Sequence, residues 1–571
     1  MPHLHKKIKK GRPYYYIREI RRVNGKPTVV SQVYLGTIGK ILQMRQEADA
    51  AGKPAKLQVR EFGSLWVAHQ LERELNTIGA VDAVVPPDKR ETGPSVGEYF
   101  FFAWANRMAE PCSKNALEAF YRRTAVQGIR PVDIGELTSE RYWDKWNRVS
   151  ETAAEEIARR FFRRVAALYA GRPEGVLFDT TNNYTFMASK TKSELARRGK
   201  NKEGRDNLRQ IGVALLVDRD TALPLYCKAF PGNMHDSKVF AQTADEMMAV
   251  LGELNPAKLR MTVVFDKGVN SLDNIRYIDD KPHVHFITTY SNHFAPDIAG
   301  ADLKNFAPLD IEKNRRLEER GKAKDKILAW RTRAPFWGKE RTVVVTYNPA
   351  TARKQRYTLD QKLETLRETL LEFRANFRAS QPHWRDPDAI RDRYIRACEE
   401  LYIGSQYYHI EFTAGEMSFR KDLYQVARSQ SFFGKNIIIT DNHDWSNKSI
   451  VQLSLDRYLI EHSFRSGKSR HHVQMRPVHH WTDSKLRCHI LTCAMTLTAM
   501  KILEIKAAAA GLKMTAPAIM QEMRALHSVL VWQKGKKQPH WMIEEPSETQ
   551  QLVLKAFGHF VNADGVLQPL P

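Results

Sequence analysis

The chain has 571 residues, more than one hydrophobic core ordinarily supports, so roughly three to four packed units are expected. With 42% apolar and 27% charged residues it has a globular composition, which excludes wholesale disorder and collagen-like repeats. The 89 Lys and Arg exceed the 65 Asp and Glu by 24, and that excess calls for a polyanionic partner.

The amino terminus carries His3, His5, Lys6, Lys7, Lys9 and Lys10 with no apolar run behind them, so it does not read as a secretory signal. The expected location is the cytoplasm. Residues 1–60 hold fourteen Lys and Arg against Glu19, Glu47 and Asp49. Within them Tyr14–Ile17 and Pro27–Leu35 are β-rich runs flanking Asn24-Gly25, a strong hairpin signal. Arg18, Arg21, Arg22 and Lys26 are placed to track phosphates along this basic hairpin; a solvated edge is the alternative. Residues 61–170 show helical periodicity in Leu65–Ile78, Val96–Ala109 and Glu155–Tyr169 and read as a helical domain.

From Gly175 the pattern turns to strands. Val176–Phe178 ends at Asp179, Ile211–Val217 at Asp218, and Leu223–Phe230 at Pro231-Gly232-Asn233. A helix over Lys238–Leu251, a strand Met261–Phe265 ending at Asp266, and a strand Val284–Thr288 complete an α/β layer over 171–290. Residues 291–430 read as an insertion subdomain built on a helical hairpin, with Leu363, Leu366, Leu370, Phe373 and Phe377 at 3-4-3-4 spacing. The core resumes over 431–500 with strand Ile437–Ile439 and one helix from Ser449 to about Phe464. Residues 501–571 are expected to form a helical tail. Ile490–Met500, the longest quiet stretch, carries three threonines and is too short to span a bilayer, so no membrane segment is expected. The five cysteines are scattered without a CxxC pair and read as reduced core residues.

Asp179 and Asp266 both stand where an apolar strand ends, and neighbouring strands of one sheet would set them side by side. Two close carboxylates repel unless a cation lies between them, and hard oxygen donors suit Mg²⁺ or Mn²⁺. A strand-end aspartate also reads as a turn former. On the helix near 457, Arg457, Glu461, Arg465 and Lys468 fall on one face at 100° per residue, opposite Leu455 and Leu459. That pattern admits a salt-bridged solvated face, or Glu461 as a third metal ligand with the bases on substrate phosphates. Asp236 reads as a cap for the following helix, Asp441-Asn442 as a turn, and Lys190–Arg209 as a basic loop that either reaches DNA or is solvated. Gly467-Lys468-Ser469 lacks the first glycine of a P-loop, and the histidine pairs 471-472 and 479-480 have no cysteine partners at zinc-finger spacing, so neither a nucleotide cofactor nor zinc is expected.

These residues carry a resemblance. Asp179, Asp266 and Glu461 resemble the Asp-Asp-Glu (DDE) triad of insertion-sequence transposases with a ribonuclease-H-like core. Arg457-x3-Glu461-x6-Lys468 matches the Tyr-x2-Arg-x3-Glu-x6-Lys signature of one bacterial group, except that Ser454 stands where the tyrosine would fall; Tyr458 is the candidate substitute. Phe230-Pro231-Gly232-Asn233, Arg476-Pro477-Val478, His489 and the amino-terminal YYYIREIRRVNGK are similar to the same group.

The resemblance implies a mixed sheet flanked by helices, interrupted by the insertion, and adds DNA binding to the helical domain over 61–170. It implies two Mg²⁺ or Mn²⁺ ions held by the triad, and Arg457, Arg465 and Lys468 on terminal phosphates. It also implies cut-and-paste transposition of double-stranded DNA by a homodimer in the bacterial nucleoid. Two other readings use the same residues: a metal-dependent nuclease that cuts without joining, and a catalytically silent DNA-binding protein derived from a transposase.

Overall fold

The computed structural model describes every residue except 1, 24, 25, 52, 53, 172, 189, 201–203, 256, 258, 414, 534–537 and 571. The chain divides into two compact units, Met1–Leu259 with Tyr458–Pro571, and Arg260–Arg457.

The first unit opens with a three-stranded antiparallel sheet, β1 (Pro2–Lys9), β2 (Arg12–Val23) and β3 (Lys26–Gly36), with β2 central. The sequence reading did not foresee β1. Its only aliphatic residues, Leu4 and Ile8, are 62% and 66% exposed, so it lacks the alternation of a half-buried strand. The Asn24-Gly25 turn lies outside the described residues. After a helix Ile38–Ala51, the strand Pro54–Glu61 pairs antiparallel with His527–Gln533, which also pairs with His540–Ile543. The tail beyond residue 500 is therefore mixed rather than helical: His527–Gln533 finds a distant partner in Pro54–Glu61 as well as its neighbour His540–Ile543, and His559–Val561 pairs with Leu567–Pro569.

Helices Gly63–Leu75, Val96–Ala109, Ser139–Asn147 and Glu151–Val165 form a layer around Asp483–Ala509. Val96–Ala109 is buried almost throughout, and Ser95 with Glu98 closes a capping box at its start. Asp483–Ala509 is long and apolar enough to cross a bilayer, which the shorter stretch Ile490–Met500 did not suggest. Its apolar window is 83% buried inside the chain, as for a central core helix.

Strands Gly175–Thr185, Arg209–Asp218 and Pro224–Pro231 are antiparallel, with Arg209–Asp218 paired to both others and to the two-residue strand Arg197–Arg198. Asp179 does not end its strand. The ladder continues six residues further because Thr180–Thr185 keep their pairing with Arg209–Ala214. Gly232 is required by packing: a Cβ there would lie 2.0 Å from the Gln210 carbonyl oxygen.

The second unit is built on a mixed sheet in the order Ala307–Pro308, Leu328–Phe336, Lys339–Tyr347, Lys435–Thr440, Val284–Tyr290, Met261–Phe265, with only the last pair parallel. Helices Leu272–Asp279 and Asn447–Leu455 flank it. Strands Leu328–Phe336 and Lys339–Tyr347 fall inside the span read as an insertion. The segment with its own core is narrower, Pro349–Arg378 and Pro387–Glu400 with the hairpin Tyr408–Thr413 and Glu416–Lys421. There Leu363, Leu366 and Leu370 are buried against Ile390, Tyr394 and Met417.

Candidate active site

Helix Tyr458–Lys468 packs on strand Gly175–Thr185. Ile460, Phe464 and Gly467 face inward at i, i+4, i+7 spacing, and this apolar stripe fixes the rotation of the helix. Glu461, Arg465 and Lys468 form the adjoining stripe, one position on. They line an open cleft of about 470 Å³ together with Asp179, Thr180 and Arg476. One acid on a strand and one on a helix thus share a surface with three cations. Beside them, Asp179 Oδ1 accepts from the Thr180 amide at 2.8 Å, and the Thr180 hydroxyl donates to Asp236 at 2.5 Å. Asp236 is therefore tied to the strand bearing Asp179. The helix cap expected of it is supplied by His235, which accepts from the Ser237 amide.

In the sequence Arg476 belongs to a family anchor and carries no expected role in the site. The loop that carries it is fastened from several sides. Arg107 donates to the carbonyls of Val473 at 2.8 Å and Gln474 at 3.0 Å, and His489 Nε2 meets the Met475 carbonyl at 2.9 Å. The Thr185 hydroxyl donates to Val478 at 2.7 Å, and the Arg476 guanidinium lies 5.6 Å from the Tyr184 ring centre. These anchors are far apart in sequence, so no local pattern announces them.

The single helix expected over 449–464 is two helices, Asn447–Leu455 and Tyr458–Lys468, separated by Asp456-Arg457. Ser454 and Tyr458 accordingly belong to different helices, and Tyr458 is 59% exposed. Arg457 lies in the turn ahead of the helix that bears Glu461. It belongs to the second unit, where its guanidinium pairs with Asp266 at 3.1 Å. Asp266 directly follows strand Met261–Phe265 and also accepts from the Thr289 hydroxyl at 2.8 Å. Burial pushes its carboxyl up, but Arg457 and Thr289 outweigh burial and hold it below the usual aspartate range. Asp441, in the same unit, accepts from the Phe286 amide and faces His285 at 2.8 Å, a structural role.

The donor chemistry of the cleft suits a hard divalent cation: Asp179 and Glu461 offer carboxylate oxygens, and among the described residues no thiolate or imidazole lines it. Among the described residues, no three His, Cys, Asp or Glu side chains are grouped closely enough to hold a metal ion. The cleft itself contributes two carboxylates. His489 is buried and His480 half-buried, and desolvation presses both well below the usual histidine range. The five cysteines are free thiols.

At the amino terminus, Arg18 lies 5.9 Å from the Tyr16 ring centre and donates to Gln32, and Arg21 pairs with Glu19 at 2.7 Å. Lys26 is exposed, and the Arg22 side chain lies outside the described residues.

Residues 173–497, more than half of the chain, match the family model of the transposase DDE domain. The chain belongs to the DDE transposase family. The matched segment contains Asp179, Asp266 and Glu461 together with Arg465, Lys468 and Arg476. As a DDE transposase the protein is an enzyme of DNA cleavage and strand transfer. No curated protein sequence matches the transposase. Among solved structures, a cryo-EM structure of the piggyBac transposase synaptic complex with hairpin DNA aligns over 82% of each chain. The identity is 7% and the TM-score 0.37, a likeness too slight to extend to chemistry.

Proposed function

We propose that this transposase binds the terminal inverted repeats of an insertion sequence, cuts them free and joins them to target DNA, using a ribonuclease-H-like core in a cut-and-paste reaction on the bacterial nucleoid. The observation that carries this reading is the shared cleft of Asp179, Glu461, Arg465, Lys468 and Arg476. Two carboxylates alone repel a phosphodiester; cations on the same surface reverse that repulsion and orient the phosphate. Asp179, Asp266 and Glu461 are the residues that would hold divalent magnesium or manganese, which supplies activation of the attacking oxygen and stabilisation of the leaving one. Arg465 and Arg476 can each fork onto two non-bridging oxygens, while Lys468 acts as a point charge. Arg457 is assigned to terminal phosphates. Water and a freed 3′-hydroxyl attack the same kind of bond, so one set of residues serves both cutting and joining. Two element ends react in one event, which calls for a homodimer on DNA.

The test is incubation of purified protein with a labelled duplex carrying an element end and its flank, plus a supercoiled target plasmid, in Mg²⁺ or EDTA. Metal-dependent end cleavage and a joined product are expected. Asp179→Ala, Asp266→Ala and Glu461→Gln are each expected to lower both by roughly a thousandfold or more, with end binding kept. Cutting retained by one variant removes that residue from the set. Cutting without joining leaves a nuclease, and binding without either product leaves a silent DNA-binding protein.

A further inference from the structure

The pairing register sorts the side chains of the amino-terminal sheet onto two unlike faces. His3 stands opposite Arg18, His5 opposite Tyr16, Lys7 opposite Tyr14 and Lys9 opposite Arg12; across β2 and β3, Tyr16 meets Tyr34 and Arg18 meets Gln32. Residues directly opposite in a ladder share a face. One face therefore carries Lys7, Lys9, Arg12 and Arg18 with His3, His5 and three tyrosines, and it has no carboxylate. Its tyrosines pack on one another, Tyr16 and Tyr34 at 5.1 Å and Tyr14 and Tyr34 at 6.1 Å, while Lys7, Lys9 and Arg12 are exposed. The other face carries Leu4, Ile8, Ile17 and Val33 with Tyr15, and its charges are Lys6, Arg21 and the Glu19 that pairs with Arg21.

We propose that the cationic, tyrosine-bearing face of the β1–β3 sheet is a double-stranded DNA docking surface, with Lys7, Lys9, Arg12 and Arg18 on backbone phosphates. This rests on the transposase reading and deepens it. Alternate residues on a strand advance about 6.7 Å, the rise of two phosphates along one DNA strand, so Lys7 and Lys9 match the spacing of the polyanion. Three strands about 4.8 Å apart form a platform roughly 10 Å wide, comparable with a major groove about 12 Å across. The tyrosine cluster stiffens the platform between its charged rows and offers hydroxyls to the groove. The assignment departs from a hairpin tracked by Arg18, Arg21, Arg22 and Lys26: it keeps Arg18, adds the β1 lysines, and leaves out Arg21, which is paired with Glu19.

Fluorescence anisotropy on the full chain tests it, with labelled 30-base-pair duplexes taken from the DNA flanking the gene and a scrambled duplex, titrated in EDTA across a salt series. The variant Lys7→Gln/Lys9→Gln/Arg12→Gln/Arg18→Gln is expected to reduce the slope of log K against log salt by about three to four and to bind on the order of a hundredfold more weakly. Lys6→Gln, on the opposite face of β1, is expected to change affinity by less than about threefold. Should the fourfold variant fail to fold by circular dichroism, Lys7→Gln/Lys9→Gln on the edge strand gives about half the slope change. Unchanged binding by the folded variants, or an equal loss in Lys6→Gln, overturns this face while leaving the transposase reading intact. Failure of the unaltered protein to bind any duplex overturns both.

Discussion

At the residue scale, two arginines stand in surroundings that sequence spacing does not foretell. Arg457 has the signature distance from Glu461, yet it stands against Asp266, and Arg476 lines the cleft of Asp179 and Glu461. Arg476 is held there by a loop whose carbonyls are taken by Arg107, His489 and Thr185. A guanidinium positioned by such a frame loses little entropy on meeting a phosphate. Arg476→Ala is therefore expected to slow single-turnover end cleavage by roughly a hundredfold, with Arg476→Lys recovering part of the rate. End binding in the absence of metal should change by less than about threefold, since many other cations contribute to it. A loss confined to binding would place Arg476 outside the reacting phosphate.

At the scale of elements, the helical layer contains a cation in an apolar setting. Lys114 lies 5.0 Å from the Tyr142 ring centre and 4.8 Å from that of Trp146, both on helix Ser139–Asn147. Burial, with Arg107 nearby, pulls its ammonium down from 10.5 to about 7. A depressed base makes the unfolded chain the better proton binder between those values, so stability rises as pH goes from about 7 towards 10.5 and, for this group, levels off below about 7, where both states carry the proton. Lys114→Met is expected to melt higher than the unaltered chain at pH 7, by on the order of 2 kcal/mol, with the advantage shrinking towards pH 10. Thermal melts across that range check it, and a pH-independent difference would place the lysine in water. Other elements differ from their local pattern for equally physical reasons. Leu455 and Tyr458 read as one helix, yet Asp456-Arg457 forms a turn between two. Lys339–Tyr347 looks like part of a polar insertion and becomes a strand because Lys435–Thr440 pairs with it.

For the whole molecule, the formal charge of +24 and the family membership both direct attention to DNA. Each compact unit carries part of the proposed ligand set, Asp179 and Glu461 in one and Asp266 in the other. If two ends react together, sedimentation of the protein with end duplexes is expected to give a complex of two chains and two duplexes. One chain per duplex at saturating concentration, with joining still efficient, would contradict the dimer. Added salt is expected to weaken such a complex, because the counterions released on neutralising phosphates favour binding less as the bulk salt concentration rises.

The residues proposed for the chemistry were legible in the sequence because they were picked by residue type and short spacing. Asp179 and Asp266 next to apolar strand residues, Glu461 seven residues before Lys468, and Pro231-Gly232-Asn233 are all local, and the Gly232 site excludes any side chain. What only tertiary structure decided is long-range. The pairing of Pro54–Glu61 with His527–Gln533, and of Lys339–Tyr347 with Lys435–Thr440, depends on partners that no short window of sequence contains. Arg476 reaches the cleft through anchors at Arg107, Thr185 and His489, residues up to 369 positions away. Propensity and periodicity describe a segment against itself, whereas β-pairing and loop anchoring are set by what folds against it.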